Sequence, residues 1–110
     1  MSDLLIELQK LKSDLSTSMQ LLRKNGEDLA QKENDYQISK TQTVLLMKDA
    51  GCTMTEINLS IKGRPEVAPK LLARDIAKAM YEANMEHINV AKLELRIIEN
   101  QIAREWGNAG

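Results

Sequence analysis

Leucines recur every seven residues near the start of the chain: Leu8, Leu15, Leu22 and Leu29, with Tyr36 and Thr43 continuing the series. Leu4, Leu11 and Leu46 fall on the companion position of the same repeat. A repeat of seven draws one stripe along an α-helix, and burying that stripe against a partner generates a left-handed supercoil. The spacing predicts a long helix over residues 3–49. Its companion positions at mid-length are polar, namely Ser18, Asn25, Lys32 and Ser39. Either the partner offers only a narrow face there, or the middle is a weak point. Asn25-Gly26 is a turn signal, and Glu27-Asp28 would suit a new helix start. Leu22 and Leu29 nevertheless stay in phase across it. That favours one helix with a soft spot over two helices and a three-helix fold.

The second periodic stretch, residues 67–106, has a broader apolar face. Ala77, Tyr81, Asn84, Ile88, Ala91, Leu95, Ile98 and Ile102 alternate at spacings of four and three. A flanking stripe adds Leu72, Ile76, Met80, Ala83 and Ile97. A face this wide buries against more than one neighbour. Asn84 lies in the stripe itself. It either fixes register or oligomer state at some cost in stability, or sits at a poorly buried end of the contact. Gly107–Gly110 reads as a frayed tail.

Residues 50–66 connect the two. Gly51 suits the left-handed end of a helix. Thr53-Met-Thr-Glu56 is a capping-box pattern, predicting a short helix from Met54 to Ile61 that buries Ile57 and Ile61. Gly63 stops it. Pro65 and Glu66 suit the first turn of the next helix, and Pro69 is tolerable within that turn.

At about 1.5 Å per residue the two long helices would run roughly 70 and 60 Å. The pattern predicts an all-α fold: a long antiparallel helical hairpin, coiled-coil-like, with a short connector helix, as one domain. One hairpin has a single seam and little core. The leftover apolar surface predicts a homodimer, or a tetramer, forming a dimeric helical bundle. Leu8, Leu15, Leu22, Leu29, Tyr36, Tyr81, Asn84, Ile88, Leu95, Ile98 and Ile102 would form its seam.

Composition supports helix seams. Phe is absent, with one Trp and two Tyr, and the apolar residues are mostly Leu, Ile, Ala and Met. The two prolines, Pro65 and Pro69, lie close together. Charge is balanced overall, 15 basic against 16 acidic residues. It is balanced locally too: 7 against 8 over 2–49, 2 against 2 over 50–66, and 6 against 6 over 67–110. A dedicated nucleic-acid binder usually shows a basic excess. Lys62, Arg64, Lys70 and Arg74 are the candidate contacts for a nucleic acid or another partner. A helix-turn-helix would place them against a phosphate backbone. Glu56, Glu66 and Asp75 interleave with them, so a capped bend packed on the helix ends is the favoured reading. Pairs such as Glu7–Lys10, Lys10–Asp14 and Arg96–Glu99 are ordinary solvated helix pairs.

Chemistry for catalysis is sparse. His87 is the only histidine and Cys52 the only cysteine, so neither a closed zinc site nor a disulfide forms within one chain. Cys52 precedes a helix start, which can lower a thiol pKa, but a structural role is favoured. Ser–His–Asp sets, P-loops, dinucleotide turns and HExxH are missing, and no carboxylate pairs with a histidine at di-iron spacing. The expectation is a protein that is not an enzyme, with no cofactor, metal or small-molecule substrate. The unpaired cysteine fits a reducing cytoplasm. The first residues lack the plan of a signal peptide, and no apolar run reaches the roughly 20 residues needed to span a bilayer.

Gly51-Cys-Thr-Met-Thr55, Lys62-Gly-Arg-Pro-Glu-Val-Ala68, Arg74-Asp-Ile-Ala77, Ala79-Met-Tyr-Glu-Ala83 and the run from Lys92 to Trp106 resemble small helical proteins of phages and prophages of Gram-positive bacteria. The resemblance covers roughly the C-terminal two-thirds. It implies a setting near replication, recombination and host-takeover genes, and transfers no catalytic or ligand residue. The expected function is a non-enzymatic accessory protein binding a host or phage protein through an oligomeric bundle, as an inhibitor or assembly adaptor. The alternative is a DNA- or RNA-associated factor of phage replication or recombination.

Overall fold

The computed structural model describes residues 2–109. It is all-helical, with no strand among the described residues. Helix α1 spans Ser2–Asp49 and α2 spans Met54–Ser60. A 3-10 turn follows at Ile61–Gly63, and α3 spans Ala68–Ala109. The Asn25-Gly26 step is helical, so α1 is one element. Helix α3 runs through Gly107 to Ala109 where a frayed tail was expected. No proline follows Pro69 to stop it.

The chain forms two compact units. The terminal unit joins Met1–Lys24 with Glu82–Gly110, and the connector unit is Asn25–Tyr81. The helices are antiparallel within each. In the connector unit Gly26 meets Tyr81, Glu33 meets Arg74 and Ser39 meets Glu66. In the terminal unit the Asn84 side chain donates to the Ser18 carbonyl at 3.2 Å, and Glu7 shares a cleft with Gln101.

The connector unit holds the main core: Tyr36, Met47, Ile57, Ile61 and Val67, with Val44, Cys52 and Leu71 packed against it. Its turns explain why it closes. Gly51 adopts φ 89°, a left-handed conformation, and ends α1. Gly51 N–H donates to the Lys48 carbonyl and Cys52 N–H to the Met47 carbonyl. Two carbonyls at the helix end are thereby satisfied, in a Schellman motif. Thr53 Oγ1 accepts from Glu56 N–H while Glu56 Oε2 accepts from Thr53 N–H, completing the capping box at the start of α2.

Two sequence expectations need correction here. Pro65 lies in a turn ahead of α3, outside its first helical turn. The proline holds Arg64 extended, and the Arg64 carbonyl then accepts from both Val67 and Ala68. That turn drives Val67 into the core with no exposed surface, and its carbonyl accepts the first bonds of α3, from Lys70 and Leu71. Leu46 is the second correction. It is 67% exposed, whereas Met47 is 6% exposed and takes the core position. Thr43, on the leucine series, stays buried at 3% exposed, and Met47 lies one turn beyond it on the same face.

Candidate interaction surface

The stripe residues occupy the inward side of their helices. Tyr36, Asn84, Ile88 and Ile98 are buried, while Leu8, Leu15, Leu22, Leu29, Tyr81, Leu95 and Ile102 are half-buried. This side is covered by the antiparallel helix of the same chain, so it serves the fold before any assembly. Asn84 is 8% exposed. Its bond to Ser18 places a polar link inside the terminal pair, and a buried amide satisfied in one alignment penalises slipped ones.

The polar mid-length positions of α1 carry links too. Ser39 Oγ donates to the Glu66 carbonyl. One step from Lys32, Glu33 becomes part of a charged cluster. Arg74 Nη1 donates to Glu33 Oε2 at 2.7 Å, and Arg74 Nε donates to Asp75 Oδ1 at 2.9 Å. The Arg74 guanidinium stands 5.0 Å from the Tyr36 ring centroid and the Lys40 ammonium 5.9 Å from it, both within cation–π range. The Gln37 amide, donating at 2.9 Å, and then Arg74 hold the Glu33 carboxyl below its ordinary value. Glu33, followed by Asp75, raises the Arg74 pKa. This cluster is a clasp between α1 and α3 in the connector unit.

Its presence changes the candidate contact set. Arg74 is turned toward Glu33 and Tyr36, and Arg64 stands 3.7 Å from Glu66. Lys62 and Lys70 remain exposed, with Lys70 bordering an open cleft that Asp35, Ser39 and Gln42 also line. The four cations therefore do not form one uniform basic stripe. Sequence spacing missed Glu33 as the Arg74 partner. The available signal was Tyr36 with a carboxylate three residues before it and a lysine four after.

Cys52 is half-buried against the main core and His87 is exposed. Among the described residues no group of three or more His, Cys, Asp or Glu side chains is placed to hold a metal ion. No described helix is long and apolar enough to cross a membrane. The flanking stripe of α3 faces water: Leu72, Ile76, Met80 and Ile97 are each at least half exposed, and Ala83 is exposed. So is Leu59 of α2, at 84%. Comparison with protein-family models, curated proteins and solved structures gave no match.

Proposed function

We propose that this chain is a non-enzymatic accessory protein that acts by protein–protein interaction as a self-assembled helical bundle, with a homodimer as its smallest form. Exposed area supports this reading most. A compact protein of 12.4 kDa exposes about 6,100 Å², whereas this chain exposes 7916 Å². The excess, about 1,800 Å², exceeds the ~800 Å² that each partner gives to a standard interface. Exposed Leu, Ile, Met and Val recur along the helix surfaces, the kind of surface that partners cover.

The phage-type resemblance adds a setting to the proposal: a cytoplasmic inhibitor or assembly adaptor directed at a host or phage protein. The competing role, a nucleic-acid accessory factor, rests on exposed Lys62 and Lys70, while Arg64 and Arg74 are committed to carboxylates. Two measurements test the reading. Sedimentation at about 50 µM gives a mass above one chain, and nuclease-treated lysate from a bacterial host yields a specifically retained protein. A single-chain mass combined with retention of nucleic acid alone, lost steeply as salt rises, sinks it.

A further inference from the structure

Asn25-Gly26-Glu27-Asp28 has the make-up of a helix start, yet α1 runs through it. Asparagine is a preferred N-cap, and acids in the positions after Gly26 suit the positive end of a helix. Inside a helix the same step is a cost, because asparagine and glycine are both weak helix formers. The two compact units divide α1 between Lys24 and Asn25, so the connector unit's share of α1 opens on this step. Gly26 lies against Tyr81, the last residue of that unit on α3. Asn84 comes three residues after the division of α3. After glycine, asparagine is the residue that most readily ends a helix in the left-handed conformation. Both helices therefore carry a start or stop residue at the edge of the connector unit.

The two units are closed unequally. In the connector unit α1, α2 and α3 all pack on one core, where Ile57 and Val67 are fully buried. The Glu33–Arg74 ion pair and the bond from Ser39 to Glu66 join its helices as well. The terminal unit is a pair of helices with no third element. None of residues 3–24 of α1 is buried, and Leu4, Leu8, Leu11, Leu15 and Leu22 are half-buried. The buried positions of α3 opposite them are Asn84, Ile88, Ala91 and Ile98, one of them an amide and one an alanine. Less apolar surface is removed from water along this pair, so separating it costs less than opening the connector core.

We infer that the terminal unit is an arm that opens as one piece while the connector unit stays folded, with Asn25 capping the shortened α1 in the open state. The Asn25 side-chain oxygen then accepts from the backbone N–H of Glu27 or Asp28. That satisfies one of the donors left without a partner when the turn before them is lost. Opening breaks the Asn84–Ser18 bond and bares the leucine stripe of residues 4–22 with the facing stripe of α3. This goes beyond the assembly reading and holds for a single chain.

Hydrogen exchange of the full chain, read peptide by peptide by mass spectrometry at about 5 µM, tests the inference. Peptides within residues 5–22 and 86–105 share one level of protection. Those within residues 30–47 and 57–78 share a higher one, and the change comes as a step at Lys24–Asn25. Asn25→Ser keeps a cap and Asn25→Ala removes it. Terminal peptides of Asn25→Ala exchange about tenfold more slowly than those of Asn25→Ser, through loss of the cap in the open state and better helix propensity in the closed one. Connector peptides of the two variants differ only about twofold, the share due to propensity. The inference is overturned if protection grades smoothly from the chain ends through Asn25, or if both units share one level. It is also overturned if the two variants differ no more in the terminal peptides than in the connector peptides.

Discussion

Gly26 offers the sharpest test of how the connector unit is packed. The residue lies inside α1, where glycine costs about 1 kcal/mol relative to alanine. A Cβ added there would lie 3.4 Å from Tyr81 Cε2 and 3.9 Å from Cδ2. Those are ordinary van der Waals separations, so a methyl fills the space under the ring without displacing it. The new contacts add a few tenths of a kcal/mol of dispersion. Gly26→Ala is therefore expected to stabilise the protein by about 1 kcal/mol, raising the thermal midpoint by roughly 4 °C for a chain of this size. Gly26→Leu must push the Tyr81 ring aside and should destabilise by about 1–3 kcal/mol. Thermal unfolding followed by circular dichroism at one fixed protein concentration measures both. A lower midpoint for Gly26→Ala would refute the reasoning. It would mean that Tyr81 presses closer on the glycine and that the missing side chain is required.

Three further outcomes are expected. Val67→Ala removes a fully buried side chain, at about 1.6 kcal/mol for the lost apolar groups plus a cavity contribution; Leu59→Ala, at an exposed position, should leave urea unfolding unchanged. Gly51→Ala meets open space but keeps a left-handed φ, so strain alone should cost about 1–2 kcal/mol, and an unchanged urea midpoint would contradict the turn geometry. Glu33 has a lowered folded pKa, so its stabilisation is present above the ordinary carboxylate value of 4.5 and is lost as pH falls through the lowered value. Wild-type stability should therefore fall more steeply below that pH than the stability of Glu33→Gln, and parallel pH profiles for the two would count against the clasp.

The periodic parts of the fold were legible because a buried stripe leaves a spacing that needs no knowledge of its partner. Leu8 through Tyr36 and Ala77 through Ile102 mark their inward sides this way. The cap at Thr53–Glu56 and the turn at Gly51 were legible for a similar reason, since both act within a few residues. What stayed hidden depends on which residues meet at a distance. Val67 stands alone between two prolines and has no periodicity. Gly26 reads as a soft spot in the helix until Tyr81 is seen lying against it. Arg74 reads as a surface cation until Glu33 and Tyr36 arrive from the other helix. Leu46 reads as a seam leucine until Met47 is seen packed with Ile57, Ile61 and Val67 in the core.

The placement of the aromatic residues has a practical consequence. Tyr36 and Tyr81 both belong to the connector unit, while Trp106, the only tryptophan, belongs to the terminal unit and is exposed. Phenolic absorbance and indole emission thus form two optical channels, one for each half of the molecule. Melting curves recorded in both will superimpose if the halves come apart in one cooperative step, and will separate if one is lost before the other.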